Sequence, residues 1–245
     1  MVFRNFYMFA FVLLSATGGG WAQESTAFNA KSGWSINGSY AANSGKILIG
    51  DADDRTLVKA GVGYTKQIKR WSRIKLSYEG SLEPFYQEAD PLIIGATIVN
   101  PTGPPTVYYS PSPYRPIFRA SVIGETNLVG IGVFPIYAIY GKRERTYAFS
   151  AMPFGGRVQG FPGHRIQPTL SVDLGALVAT RNIPVDYTSS FNFLSYAGPG
   201  VEVYWDNHHS VRIEYLYEHM SNAGLGYQNP GLDSATWRIT LTRYR

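Results

Sequence analysis

From about residue 30 onward the chain alternates between apolar and polar positions. Ile74, Leu76, Tyr78, Gly80 and Leu82 are apolar or small, while Arg73, Lys75, Ser77, Glu79 and Ser81 between them are polar. Strict period-two alternation places successive side chains on opposite faces of an extended strand. The pattern recurs with Val58, Ala60, Val62 and Tyr64, and again with Leu170, Val172, Leu174 and Ala176. It returns with Val211, Ile213, Tyr215 and Tyr217, and finally with Ala235, Trp237, Ile239 and Leu241. Weaker versions lie at Trp34–Tyr40, around Gly130–Tyr140 and at Phe191–Tyr204. The pattern predicts about eight strands, several of them roughly 10 to 14 residues long, where ordinary globular strands average about 5–6 and a tilted membrane-crossing strand needs about 9–11. No useful stretch carries a helical period.

Alternation of this kind fits two closed sheets. A soluble barrel turns its apolar face inward; a transmembrane barrel turns it toward lipid and fills the lumen with polar side chains. Composition favours the second. Only 16% of the residues are charged, against about a quarter in soluble domains, and the 18 Tyr, 13 Phe and 5 Trp suit aromatic girdles at the two interfaces. Inward-facing Glu79, Glu83, Asp173, Glu214 and Glu218 can pair with Lys59, Lys75, Arg212 and Arg238 in a narrow lumen. The fold class expected is all-β, an eight-stranded antiparallel transmembrane barrel of outer-membrane type.

The first 22 residues read differently. Arg4 is their only charge, Phe6–Leu14 is apolar throughout, and Gly20-Trp21-Ala22 offers a small-x-small site. This is the layout of a secretory signal peptide, with cleavage expected after Ala22, and the apolar run is too short to be a membrane anchor. Removing it leaves 21 basic and 17 acidic residues, a net charge of +4. So small an excess carries no nucleic-acid signature, and the basic residues Lys66, Lys69, Arg70, Arg73 and Lys75 read as a solvated face. The absence of cysteine excludes disulfides and thiolate metal sites. Residues 23–245 are expected to form one barrel domain with long connections near 88–127 and 143–165. With a periplasmic N-terminus, the Pro-rich first of these faces outward. The second, rich in Gly and Phe, falls on the periplasmic side, where short turns are the rule.

One segment carries candidate chemistry. The strand Val211–Glu218 runs on into His219-Met220-Ser221, and after a loop the last strand begins near Asp233. By parity His219 and Ser221 continue the apolar face of their strand, and Asp233 continues that of the next. A histidine, a serine and a carboxylate thus emerge together on the outward side at the outer rim. Polar groups beside hydrocarbon are costly unless satisfied. A histidine can serve as general base toward a serine while a carboxylate fixes its tautomer. Residues two apart on a strand have Cα atoms roughly 6.6 Å apart, a gap that an imidazole can bridge. On spacing alone, an ordinary hairpin loop of Ser, Asn, Gly and Asp explains the segment equally well.

The string HMSNAGLGYQNPGLDS, His219 to Ser234, resembles the signature of the outer-membrane lipid A 3-O-deacylases (PagL-type), roughly His-x-Ser-Asn-x-Gly followed by Asn-x-Gly and an acidic residue. Arg181-Asn182-Ile183-Pro184 and Phe191-Asn192-Phe193 also look like that family's stretch before its sixth strand, so the resemblance covers about residues 166–245. It implies an eight-stranded outer-membrane barrel that hydrolyses the ester-linked acyl chain at the 3 position of lipid A, with no metal or other cofactor. Carried over, Ser221 is the nucleophile, His219 the general base and Asp233 the third triad member. The oxyanion donors are the Asn229 side chain and the Gly224 backbone N–H. The implied partners are lipopolysaccharide in the outer leaflet and the outer membrane itself, with a homodimer compatible with the fold. Two departures stand out: aspartate replaces the family's glutamate, and the chain is longer than compact members through 88–127 and 143–165. The alternative from another class is a non-catalytic structural or adhesion barrel that keeps the loop for packing.

The remaining histidines read as solvent-facing. His208 and His209 share a short turn without further ligands at metal spacing, and His164 lies in a Gly/Pro-rich loop.

Overall fold

The computed structural model describes residues 28–42, 44–99, 103–128 and 130–245. The leader expected through Ala22 lies outside the described residues. Twelve strands follow one another: β1 (Ser32–Ala41), β2 (Thr56–Arg70), β3 (Ile74–Asp90), β4 (Ile93–Ile98), β5 (Thr106–Tyr114), β6 (Val122–Leu128), β7 (Gly132–Tyr140), β8 (Glu144–Gly160), β9 (Ile166–Ile183), β10 (Ser189–Tyr204), β11 (His209–Ser221) and β12 (Leu232–Tyr244). Eight of them close a barrel in the order β1-β12-β11-β10-β9-β8-β3-β2, every neighbouring pair antiparallel. The other four form a separate sheet, β5-β4-β7-β6.

The barrel is inside-out relative to a water-soluble one. Its outer face shows Ile36, Val62, Leu82, Val172, Leu174, Ile213, Ile239 and Leu241 exposed, while Lys59, Lys75, Glu83, Arg157, Asp173, Glu202, Arg212, Glu214, Glu218 and Arg238 are buried inside. Such burial is tolerable only with partners, and ion pairs around Glu79, Glu214 and Glu218 supply them for most of these charges. Arg238 donates to Glu214 at 2.7 Å and to Asp173 at 2.8 Å, and Arg212 donates to Glu79 at 2.8 Å. Lys59 pairs with Glu218 and donates to Tyr196 Oη at 3.1 Å. Lys75, expected also within a solvated basic run, is buried in the lumen. Tilted membrane-crossing strands need about 9–11 residues, and the barrel strands, at 10 to 18 residues, exceed or meet that.

Two expectations are corrected. The segment 143–165 is not a long connection: β8 occupies Glu144–Gly160 and is the fourth strand of the barrel, paired with β3 and β9. Its alternation is hidden by an irregularity between Ala151 and Phe154. Ahead of it Tyr147 and Phe149 point outward, and beyond it the exposed parity switches to Phe154 and Val158. Gly130–Tyr140 does alternate, but its strand β7 belongs to the four-stranded sheet. The stretch 88–127 likewise folds in part as β4, β5 and β6 of that sheet, after β3 has run on to Asp90.

With β8 in place, the short turns 71–73, 161–165 and 205–208 lie at one end, and the long connections 42–55, 91–143 and 222–231 lie at the other with the turn 184–188, as in outer-membrane barrels. The four-stranded sheet therefore stands at the loop end. Buried arginines tie it to the rim: Arg115 at its edge donates to Asp90 at 3.0 Å and to Asp186 at 2.7 Å, and Arg55 donates to the Ile117 carbonyl at 2.9 Å.

Candidate active site

His219 and Ser221 close β11 at the loop end, and Asp233 is the second residue of β12. The register between these strands pairs His219 directly with Asp233, as it pairs Tyr217 with Ala235 and Tyr215 with Trp237. Directly opposed residues have Cβ atoms about 4.5–5.5 Å apart, so a short aspartate suffices to reach the imidazole. The His219 Nδ1 to Asp233 Oδ1 distance is 2.7 Å. The register thus lets a side chain as short as aspartate reach the imidazole.

His219 and Ser221 lie on the outward face, in line with the apolar Val211, Ile213, Tyr215 and Tyr217. Asp233 has the same parity yet is wholly buried. What covers it is the first loop, residues 44–55. The N–H groups of Leu48 and Ile49 donate to Asp233 Oδ2 at 2.7 and 2.9 Å, and Tyr217 Oη donates to Oδ1 at 2.9 Å. Together with Nδ1 these donors satisfy an ionised carboxylate away from water. The same loop joins the rim through a bridge between Ala52 and Leu232, with Asp51 N–H donating to Pro230 O at 2.6 Å. Gly50 is required here, because a Cβ at that position would lie 2.5 Å from Asp233 N and 2.8 Å from its Oδ1. Neither the loop's role nor that of Tyr217 had a signal in the sequence, since both depend on contacts across the fold.

Ser221, two residues beyond His219 on the same face of β11, ends the strand. Its hydroxyl is paired with the Asn229 side-chain amide: Nδ2 to Oγ is 3.0 Å, and Oγ to Oδ1 is 3.1 Å. Ala223 N–H also donates to Oγ at 3.2 Å. No hydrogen bond joins Ser221 to His219 among the described residues. Because Nδ1 is engaged by Asp233, Nε2 is the nitrogen left to act on a hydroxyl. The loop between them turns through positive φ at Ala223, Gly224 and Gly231. The Gly224 N–H, expected as an oxyanion donor, donates to Asn222 Oδ1 at 2.9 Å and so closes the turn. Asn222 Nδ2 in turn donates to Gln228 O at 2.8 Å. No group of metal-ligating side chains gathers among the described residues.

Around this rim the surface is apolar and aromatic. Leu48, Ile49, Tyr187, Phe193, Leu225 and Tyr227 are all exposed, and Phe193 sits directly across the ladder from Ser221. Ser221, His219 and the buried Asp233 therefore share one rim beside these side chains, with His219 Nδ1 held by Asp233, and they are the kinds of group that acyl transfer uses.

A lipid-facing closed sheet with a packed polar lumen defines the molecule as an outer-membrane β-barrel. Residues 127–242, just under half of the chain, match the family model of lipid A 3-O-deacylase (PagL), which bears out the resemblance carried by the His219–Ser234 string. Among solved structures, similarity is found to the outer membrane enzyme PagL, at 15% identity and TM-score 0.49, covering 84% of this chain and 97% of that one. Neisserial surface protein A is similar at 11% identity and TM-score 0.39, covering 87% and 97%. The outer membrane protein OprG from Pseudomonas aeruginosa is similar at 10% identity and TM-score 0.39, covering 89% and 96%. No curated protein matches the chain.

Proposed function

We propose that this protein is a lipid A deacylase, a serine esterase that removes the acyl chain ester-linked at the 3 position. The observation that carries the reading is the 2.7 Å contact between His219 Nδ1 and a buried Asp233, placed on the lipid-facing rim beside Ser221. A structural or adhesion barrel would use the loop for packing, but has no need of an imidazole oriented by a buried, hydrogen-bonded carboxylate at that depth.

In the proposed sequence, Asp233 holds His219 in the tautomer with Nδ1 protonated, so that Nε2 is the base. The serine hydroxyl leaves Asn229 and turns toward Nε2; hydrogen bonds of this kind often form only once substrate is bound. His219 takes the Ser221 proton as Oγ attacks the ester carbonyl. The oxyanion accepts from Asn229 Nδ2, already at the serine, and from the Gly224 N–H once it exchanges Asn222 Oδ1 for the more strongly charged oxygen. The intermediate then collapses, the sugar 3-oxygen leaves with the proton from His219, and the acyl chain stays on Ser221. Water, deprotonated by His219, releases the fatty acid and restores the serine. The substrate reaches the rim sideways, its acyl chains remaining in the outer leaflet.

The test is to express the wild type and Ser221→Ala in a lipopolysaccharide-producing host and weigh the lipid A. Loss of one hydroxyacyl chain with wild type, and none with the variant, is the expected result. Identical spectra from both, each folded in the outer membrane, would reject the reading.

A further inference from the structure

Two residues before His219, on the same outward face, Tyr217 occupies a place that no family pattern in the sequence marks. Its phenol Oη donates to Asp233 Oδ1 at 2.9 Å, the same oxygen that receives His219 Nδ1. Its ring lies nearly parallel to the imidazole, 10° between planes with centroids 6.5 Å apart. The register explains how one side chain does both. Tyr217 pairs with Ala235, whose small side chain leaves space along the face, so that the phenol can reach up the ladder to Asp233, one pair beyond. Among the donors on this carboxylate, the backbone N–H groups of Leu48 and Ile49 hold Oδ2, and the Tyr217 hydroxyl shares Oδ1 with the imidazole.

We propose that Tyr217 is a positioning residue for the histidine–carboxylate pair; this rests on the serine-esterase reading of the site. Its hydroxyl fixes the Oδ1 lone-pair direction left for Nδ1 and draws off part of the carboxylate charge, while its ring limits the swing of the imidazole toward lipid. Aspartate, shorter than glutamate, is anchored close to the strand backbone, and a side-chain donor on the same face can reach it there. The loop 44–55 covers this oxygen, so no water would take over the phenol's role there.

The experiment compares wild type, Tyr217→Phe and Tyr217→Ala on lipid A in mixed micelles, with rates normalised to the heat-modifiable, folded fraction on gels. Tyr217→Phe keeps the ring and removes only the donor. It is expected to lower kcat about tenfold, the size of one lost hydrogen bond to a charged group, with KM unchanged. Tyr217→Ala is expected to fall further, through the lost ring. If Tyr217→Phe matches wild type in kcat, the assignment is overturned, whatever Tyr217→Ala does. Should wild type itself release no acyl chain, the esterase reading fails and the positioning role is read from the 15N resonances of the His219 ring. A shifted Nδ1 signal in Tyr217→Phe supports it, and an unshifted one overturns it.

Discussion

Asp233 stands directly across the β11–β12 ladder from His219, and its Oδ1 meets Nδ1 at 2.7 Å from beneath a loop that seals it from solvent. Asp233→Asn tests what this relationship does. An amide has one acceptor oxygen and a donor nitrogen, so it cannot satisfy both the Leu48 and Ile49 N–H groups and the Nδ1–H. If the oxygen stays with the loop, the amide N–H faces the imidazole and imposes the tautomer in which Nε2 is protonated. Turnover is expected to fall by roughly 10²–10⁴, with barrel migration on gels preserved. An unchanged rate in lipid A assays would leave the third catalytic role unassigned.

The loop beneath which Asp233 lies supplies a second prediction. At Gly50 a Cβ would come within 2.5 Å of Asp233 N, a contact that neither backbone can avoid without moving. Gly50→Ala is therefore expected to lift residues 44–55, break the Leu48 and Ile49 hydrogen bonds and reduce activity well beyond any loss of barrel stability. Faster amide exchange at Leu48 and Ile49 would report the displacement, and unaltered exchange there would rule it out.

Asn229 donates from Nδ2 to Oγ of Ser221, the proposed nucleophile, at 3.0 Å. Removing one oxyanion donor typically costs 10²–10³ in kcat, and Asn229→Ala is expected to fall in that range with little change in KM. Gly224 allows no side-chain deletion, but Asn222→Ala removes the acceptor that its N–H uses in the resting loop. If Asn229→Ala deacylates lipid A at the wild-type rate, the oxyanion is held elsewhere.

Parity was the most legible property of this chain. Alternation placed His219 and Ser221 outward and Glu214, Glu218 and Arg238 inward, because a strand assigns its side chains to two faces without reference to the rest of the fold. The pattern failed where β8 is irregular: at Met152-Pro153-Phe154 the parity shifts, and a continuous strand reads as two unrelated fragments. It misled at β7, since alternation says that a strand exists and not which sheet it joins. The burial of Asp233 was beyond reach for a different reason. Residues 48 and 233 are brought together only by closure of the barrel, and the bonds are made by backbone N–H groups, which every non-proline residue has. Tyr217 read as one more lipid-facing aromatic for the same reason.

The strand that carries His219 also carries Glu218, one residue away and facing the lumen, and this separates stability from chemistry. Glu218 pairs with Lys59 and accepts from Thr236 Oγ1 at 2.7 Å, and both ions are buried. Lys59→Met leaves the carboxylate without its cation, and breaking a buried pair from one side costs about 3–5 kcal/mol. The variant is expected to unfold at markedly lower urea concentration in detergent. Pairing it with Glu218→Gln removes the stranded charge and should recover much of the loss, a non-additivity that a double-mutant cycle reads directly. Because Lys59 and Glu218 lie on the opposite face from the imidazole, the folded fraction of Lys59→Met should deacylate lipid A at the wild-type rate. A rate that falls in step with stability would mean that the lumen network sets the geometry of the rim, and that the two faces of β11 are mechanically coupled.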